Sequence, residues 1–318
     1  MKRKLLTIFL ASVLFLGVSV YLAYAGLQAW QQTVQQKKLL QERRMAWLEL
    51  EKALKQRIGS FRGDAGIIVE DLTTGWEYSY NKEKLFPSAS IVKIPIMAAC
   101  FQAVSEGRLD LKENIVLKSS SVTSGSGVLK CFPPGTPVPV EQLIEDMITR
   151  SDNTAANMLI ERLGFDYLNA YFKKAGLAHT NLSRKMMDFE DRKYGVENYT
   201  TAEDISNILE KIYEHKLLSD KASEKCLAML LRQKVNDRIP KKLPGDCPVA
   251  HKTGLEKNVC HDAGIVFMQQ GDFLICVLTK SRAGTKQVKN FISDLALVIY
   301  RTYSQFPYKR GANDVRPG

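Results

Sequence analysis

Histidine is scarce in this chain of 318 residues, which holds four. His179, His215, His251 and His261 stand in no H-x-H-x-D or H-E-x-x-H string, so the usual metallo-hydrolase motifs are absent. No G-x-S-x-G elbow occurs, which removes the usual marker of a Ser-His-Asp hydrolase. No nucleic-acid motif accompanies the formal net charge of +11. That charge permits an anionic membrane or wall polymer as neighbour and selects neither. Charge is itself missing from Leu5 to Gln36. With 45% hydrophobic and 25% charged residues, the chain is neither collagen-like, nor disordered, nor polytopic.

The uncharged run is what stands out first. Met1-Lys-Arg-Lys4 precedes about twenty apolar residues ending near Ala25, enough to cross a bilayer as one helix. The basic flank orients the N-terminus inward and the rest outward. Ala23-Tyr24-Ala25 also fits a signal-peptide cleavage pattern. The length of the run favours an uncleaved anchor over cleavage near Ala25. Both alternatives export the remainder. Residues 1–26 are thus expected to be anchor or signal peptide, and 27–43 a helical or flexible stalk rich in Gln and charge.

Six cysteines follow, at 100, 131, 226, 247, 260 and 276. Outside the cytoplasm they could pair, in connectivities the sequence does not choose. Cys247, His251, Cys260 and His261 lie close together, but C-x3-H-x8-C-H matches no common zinc pattern. No metal and no cofactor is expected.

Trp47, Leu50, Leu54 and Ile58 form the stripe of an amphipathic helix, ended by Gly59 and Gly63. AGIIVEDL and WEYSYN flank Thr73-Thr-Gly75 as a hairpin. Ser88 to Gly107 reads as a helix. A mostly helical block runs from about Pro139 to Leu231. Strand signals return in PVAHKTG, AGIVFMQQ and DFLICVLTK, with Gln270-Gly271 as a turn, before a closing helix through Tyr303. The expected fold class is α/β of the α+β type: one antiparallel sheet flanked by N- and C-terminal helices, with an all-helical lobe against it. The folded domain is expected over 44–305, with a polar tail over 306–318.

Three short strings sit at the junctions. Ser90-Ile-Val-Lys93 opens a helix and places a lysine one turn from a serine. A serine hydroxyl attacks only when a base takes its proton, and a lysine serves if its surroundings lower its pKa. Ser151-Asp152-Asn153 opens the helix of TAANMLIERLG. Lys252-Thr253-Gly254 lies on a strand, where Gly254 admits a close substrate backbone. Each string alone is weak. All three in order, each on a fitting element, are not.

In these strings the chain resembles the class A β-lactamase and penicillin-binding serine hydrolases, whose signature is S-x-x-K, S-D-N and K-T-G. SGSGVLK, SDNTAANMLI, ENYTTAED and HKTG are also similar to that family, and the likeness spans about Met45 to Tyr303. The resemblance implies that Ser90 is acylated and that Lys93 is its general base. It implies that Ser151 relays a proton to the leaving nitrogen and that Asn153 holds the substrate amide and Lys93. Lys252 and Thr253 would bind the substrate carboxylate. The N–H groups of Ser90 and Leu255 would form the oxyanion hole. The implied substrate is a β-lactam or a D-Ala-D-Ala-type wall peptide, taken by a monomer held to membrane lipid.

Two departures qualify this. Class A enzymes carry a glutamate in E-x-x-L-N that activates the deacylating water. Counting back from Asn198-Tyr-Thr-Thr201 reaches Met186, and the nearby Asp188, Glu190 and Asp191 are wrongly spaced. Acylation without fast deacylation is the expectation, so covalent capture by a sensor or scaffold stands beside hydrolysis. After K-T-G, where the family often has an arginine, the string is CHDAG. His261 could take that arginine's place on the carboxylate, or be structural and bonded to Asp262.

Overall fold

The fold is described by a computed structural model covering residues 2–306. The first element is one unbroken helix, α1 (Lys2–Gly59). Anchor and stalk are therefore not separate pieces. The Gln-, Lys-, Glu- and Arg-rich stretch after residue 27 is made of good helix formers, so nothing stops the helix there. The apolar first third is exposed and is long enough to be a candidate membrane span. Near its other end, Trp47, Leu50, Leu54 and Ile58 are buried on the domain as their spacing predicts.

The domain is built on five antiparallel strands: β1 (Asp64–Asp71), β2 (Trp76–Tyr80), β7 (Val249–Glu256), β8 (Val259–Val266) and β9 (Phe273–Lys280). Their order is β2-β1-β9-β8-β7, so strands from both ends of the chain share one sheet. Both faces are covered. Ile68, Leu274, Cys276 and Leu278 face a core shared with the helical lobe. The alternate residues Ile67, Val69, Phe273, Ile275 and Val277 face α1 and the closing helix α9 (Thr285–Tyr303).

The helical lobe comprises α2 (Lys93–Ser105), α3 (Val140–Thr149), α4 (Asn153–Leu163), α5 (Phe165–Lys174), α7 (Ala202–Tyr213) and α8 (Asp220–Leu231). The short α6 (Phe189–Lys193) lies in the loop before α7. Two small ribbons tie loops together: β3 (Phe86–Pro87) with β6 (Tyr199–Thr200), and β4 (Asn114–Val116) with β5 (Pro137–Pro139).

Two expected boundaries move. Arg43, placed in the stalk, is 2% exposed. It donates to Asp71 (Nε–Oδ2 2.8 Å) and to the Gln270 carbonyl (2.7 Å), and lies over the rings of Tyr303 and Phe306. Phe306, placed in the tail, is buried by that same cluster. The rest of the expected tail lies outside the described residues. All six cysteines are free thiols, so none of the possible pairings forms.

Candidate active site

Ser90 sits in a 3-10 turn, Ala89–Val92, rather than in the first turn of the expected helix. The turn begins with Ala89 at φ 44°, a left-handed conformation that costs a non-glycine residue of order 1–2 kcal/mol. The Ser88 N–H donates to the Asn198 carbonyl at 2.7 Å and holds that bend. Ala89, Ile91 and Val92 are buried while Ser90 stays partly exposed. Its hydroxyl has no hydrogen-bond partner among the described residues.

Lys93, the first residue of α2, is fully buried. Its Nζ donates to Asn153 Oδ1 (2.7 Å) and to the Ser151 carbonyl (2.7 Å), with Ser151 Oγ at 3.4 Å. Burial lowers its pKa to about 7, against a smaller opposing pull from Asp152. A large share of this amine is therefore unprotonated at neutral pH.

Ser151 precedes α4 at φ 54°, again left-handed, and this turn delivers its hydroxyl between two lysines. Lys252 Nζ donates to Ser151 Oγ at 2.9 Å and to the Thr253 carbonyl at 2.8 Å. The Lys252 pKa is also lowered, first by burial, then by the charges of Lys93 and Arg238. No sequence motif marked Arg238, yet it is almost fully buried, and its Nε approaches Cys260 Sγ at 3.2 Å. A basic residue in the loop between α8 and β7, just before the 3-10 turn Ile239–Lys242, carries no local signal of that burial.

Asp152 is the N-cap of α4, with Oδ1 accepting from the Ala155 N–H. Its Oδ2 accepts from the N–H groups of Val128 and Leu129 at 2.6 and 2.9 Å. The SGSGVLK loop is thereby fixed against S-D-N. Gly127 permits the approach: a Cβ there would lie 2.1 Å from Asp152 Cγ. Asn153 extends the contact through Nδ2 to the Ser124 carbonyl and its own N–H to the Ser126 carbonyl, both at 3.1 Å.

Thr253 is buried and Leu255 exposed on β7, the edge strand, whose outer row of backbone groups has no strand partner. A Cβ at Gly254 would lie 3.1 Å from Ile91 Cγ1 and 3.3 Å from Ala89 Cβ, so K-T-G abuts the Ser90 turn. The structure thus gathers Lys93, Ser151, Asn153 and Lys252 through hydrogen bonds and brings the Ser90 turn against Gly254.

His261 is a correction. It is fully buried, its Nε2–H donates to the Pro87 carbonyl (2.8 Å), and its Nδ1 accepts from the Thr279 N–H (3.0 Å). Neither nitrogen is left for a carboxylate, and burial lowers its pKa to about 4, so the ring is neutral. The residue paired with Asp262 is His251, at 2.9 Å.

Met186 is buried, and Asn157 of α4 grips its backbone: the Met186 N–H donates to Oδ1 (2.8 Å) and its carbonyl accepts from Nδ2 (3.2 Å). Two of the three acidic neighbours are engaged elsewhere. Asp188 caps α6, and Glu190 pairs with Lys193. Buried Arg184 pairs with Glu197 at 2.6 Å, Arg192 pairs with Glu197 and Glu256 at 2.9 and 2.8 Å, and Arg184 reaches Glu256 at 3.5 Å. This square latches the Met186 loop to the end of β7.

A family model for the beta-lactamase enzyme family matches residues 49–303. The chain belongs to the beta-lactamase enzyme family. Among curated members, it is 25% identical over 243 residues to the extended-spectrum beta-lactamase PER-1 of Pseudomonas aeruginosa, covering 72% of this chain and 78% of the relative. It is 30% identical over 181 residues to beta-lactamase BRO-1 of Moraxella catarrhalis, covering 55% and 57%. Among solved structures, PBP-A superposes with a TM-score of 0.75 at 28% identity, covering 81% of this chain and 96% of that one. A mutant of PBP-A is similar to the same degree and was solved as an acyl-enzyme complex with penicillin G. The beta-lactamase of Sphaerobacter thermophilus superposes with a TM-score of 0.74 at 28% identity. The fold is thus that of the class A beta-lactamases and their penicillin-binding kin.

Proposed function

We propose that this beta-lactamase family member is acylated at Ser90 by a β-lactam or a D-Ala-D-Ala-like wall peptide, and releases the product slowly. The observation that carries this reading is Lys93: a fully buried amine with a pKa near 7, held by Asn153 beside the Ser151 hydroxyl. Lys93 would take the Ser90 proton as Oγ attacks the amide carbonyl. Hydrogen bonds to a catalytic base are often completed only once substrate is bound, so the free Ser90 hydroxyl fits this role. Backbone N–H groups of Ser90 and Leu255 would hold the oxyanion, a contribution of about 3–4 kcal/mol per donor. Ser151, bracketed by Lys93 and Lys252, would return a proton to the leaving nitrogen. Asn153 would orient the substrate amide. Lys252 and Thr253 would bind the substrate carboxylate. His261 would shape the wall behind Gly254 instead of gripping substrate.

Slow release follows from Met186. A thioether cannot take a proton from water, and general-base help is typically worth 10²–10⁴-fold. The same residue favours a second reading, in which a long-lived adduct makes the domain a covalent sensor or scaffold for wall peptide. Helix α1 would hold a monomer outside the cytoplasm on the membrane. Labelling membranes with a fluorescent penicillin and washing it out tests the release step. Label that persists for many minutes supports both readings, and label that fades within seconds contradicts them.

A further inference from the structure

Two adjoining cavities open where β1 starts, β7 turns into β8, and β9 ends. One, of about 480 Å³, is lined by the apolar Pro87, Phe189 and Val259 and by the cations Arg192, Lys193, Lys257 and Lys280. The other, of about 420 Å³, holds Arg62 and Arg282 and shares Asn258 and Lys280 with the first. Arg192 and Lys193 are neutralised by Glu197, Glu256 and Glu190. The single acid lining either cavity, Asp64, is matched by Lys84 at 2.5 Å. Arg62, Lys257, Lys280 and Arg282 are exposed and have no ion-pair partner among the described residues. The scaffold beneath is sewn together: the Ser281 N–H donates to the Asn258 carbonyl (2.8 Å) and its Oγ to the Arg62 carbonyl (2.5 Å).

We propose that this double groove binds a linear polyanion with repeated phosphate groups, outside the membrane. Each cavity supplies its own unmatched cations, so a ligand with several negative groups engages both, whereas a single anion engages one. Position argues against lipid as the partner. Arg43, at the start of the packed part of α1, meets the β1–β2 and β8–β9 turns, so that end of the sheet faces the anchor. The groove lies at the other end, beside the C-terminus of α1. From Ala25 to Gly59 the helix extends about 50 Å at 1.5 Å per residue. Attraction between exposed charges fades over roughly 8–10 Å at physiological salt. Lipid is excluded only if α1 is a membrane anchor; the unmatched cations of the groove call for a polyanion in either case.

The test uses the full chain in neutral detergent, with fluorescent long-chain polyphosphate and anionic phosphatidylglycerol vesicles as probes. Lys257→Glu with Arg282→Glu is compared with Lys173→Glu with Lys221→Glu, the same charge change on α5 and α8. The groove variant is expected to lose at least tenfold in polyphosphate affinity with a shallower salt dependence, and the control less than threefold. Penicillin labelling of the same samples, expected to be unchanged, reports folding separately. Equal losses in the two variants, or no polyphosphate binding by the parent chain at low salt, would overturn the proposal. Groove-dependent binding to vesicles that exceeds binding to polyphosphate would overturn the choice of partner. A parent chain that binds polyphosphate without penicillin labelling would contradict the acylation reading alone.

Discussion

Lys93 and Lys252 converge on one hydroxyl, their Nζ atoms 3.4 and 2.9 Å from Ser151 Oγ. Both amines are buried, burial lowers the pKa of each, and the charge of Lys93 lowers that of Lys252 further. Only an arrangement that shares protons among these three groups is cheap, and such an arrangement suits the relay of a proton from attacking serine to leaving nitrogen.

The first prediction is the pH dependence of acylation. With the Lys93 pKa near 7, the free amine that serves as base is lost as pH falls below 7. The second-order rate of penicillin labelling should drop about tenfold per unit below that midpoint and level off above it. Between about pH 7 and 10.5 the unfolded chain carries a Lys93 proton that the folded chain lacks, so stability rises with pH across that window. A labelling rate that stays flat from pH 5 to 9 would contradict the assignment of Lys93 as base.

Met186→Glu tests the release step. The backbone at 186 is gripped by Asn157 through two hydrogen bonds, so a new carboxylate would be held in a defined place. Deacylation should accelerate by 10²–10⁴-fold while acylation changes little. Single-turnover decay of a penicilloyl adduct measures it, and an unchanged lifetime counts against Met186 as the cause of slow release.

Asp152→Ala should cost stability and disturb the site. Three backbone N–H groups lose a charged acceptor, and each such bond is worth about 1.5–3 kcal/mol. Gly127→Ala should fail for the complementary reason, since its Cβ would occupy the space of the carboxylate. Thermal unfolding checks both, and a loss under about 1 kcal/mol for Asp152→Ala would show that the SGSGVLK loop is held some other way.

Arg43→Met should expose the weakness of the α1 junction. It leaves Asp71 buried without its cation, and breaking such a pair typically costs about 3–5 kcal/mol. Arg43→Met with Asp71→Asn should recover much of that loss. Denaturant unfolding of the full chain in detergent measures both, and equal stability of the two variants would contradict a buried pair.

The legible parts of the molecule were those whose signal is local. S-x-x-K, S-D-N and K-T-G are short strings, and Trp47, Leu50, Leu54 and Ile58 announce a buried face by spacing alone. AGIIVEDL and DFLICVLTK read as strands too, but their unbroken apolar runs do not tell which residue faces which core. What escaped depends on partners far along the chain. His261 is decided by Pro87 and Thr279, and no neighbouring residue reveals either contact. Arg184, Arg192, Glu197 and Glu256 look like solvated charges until the fold closes them into a latch. The continuity of α1 was hidden by a change of composition that leaves helix propensity intact.

Time-resolved intact-mass spectrometry of the full chain with benzylpenicillin, followed by peptide mapping, tests the central claim most directly. One added penicilloyl group, located on Ser90, persisting for minutes and absent from Ser90→Ala, is the predicted result. A chain that stays unmodified while the drug survives, or that carries the adduct on another residue, would contradict it.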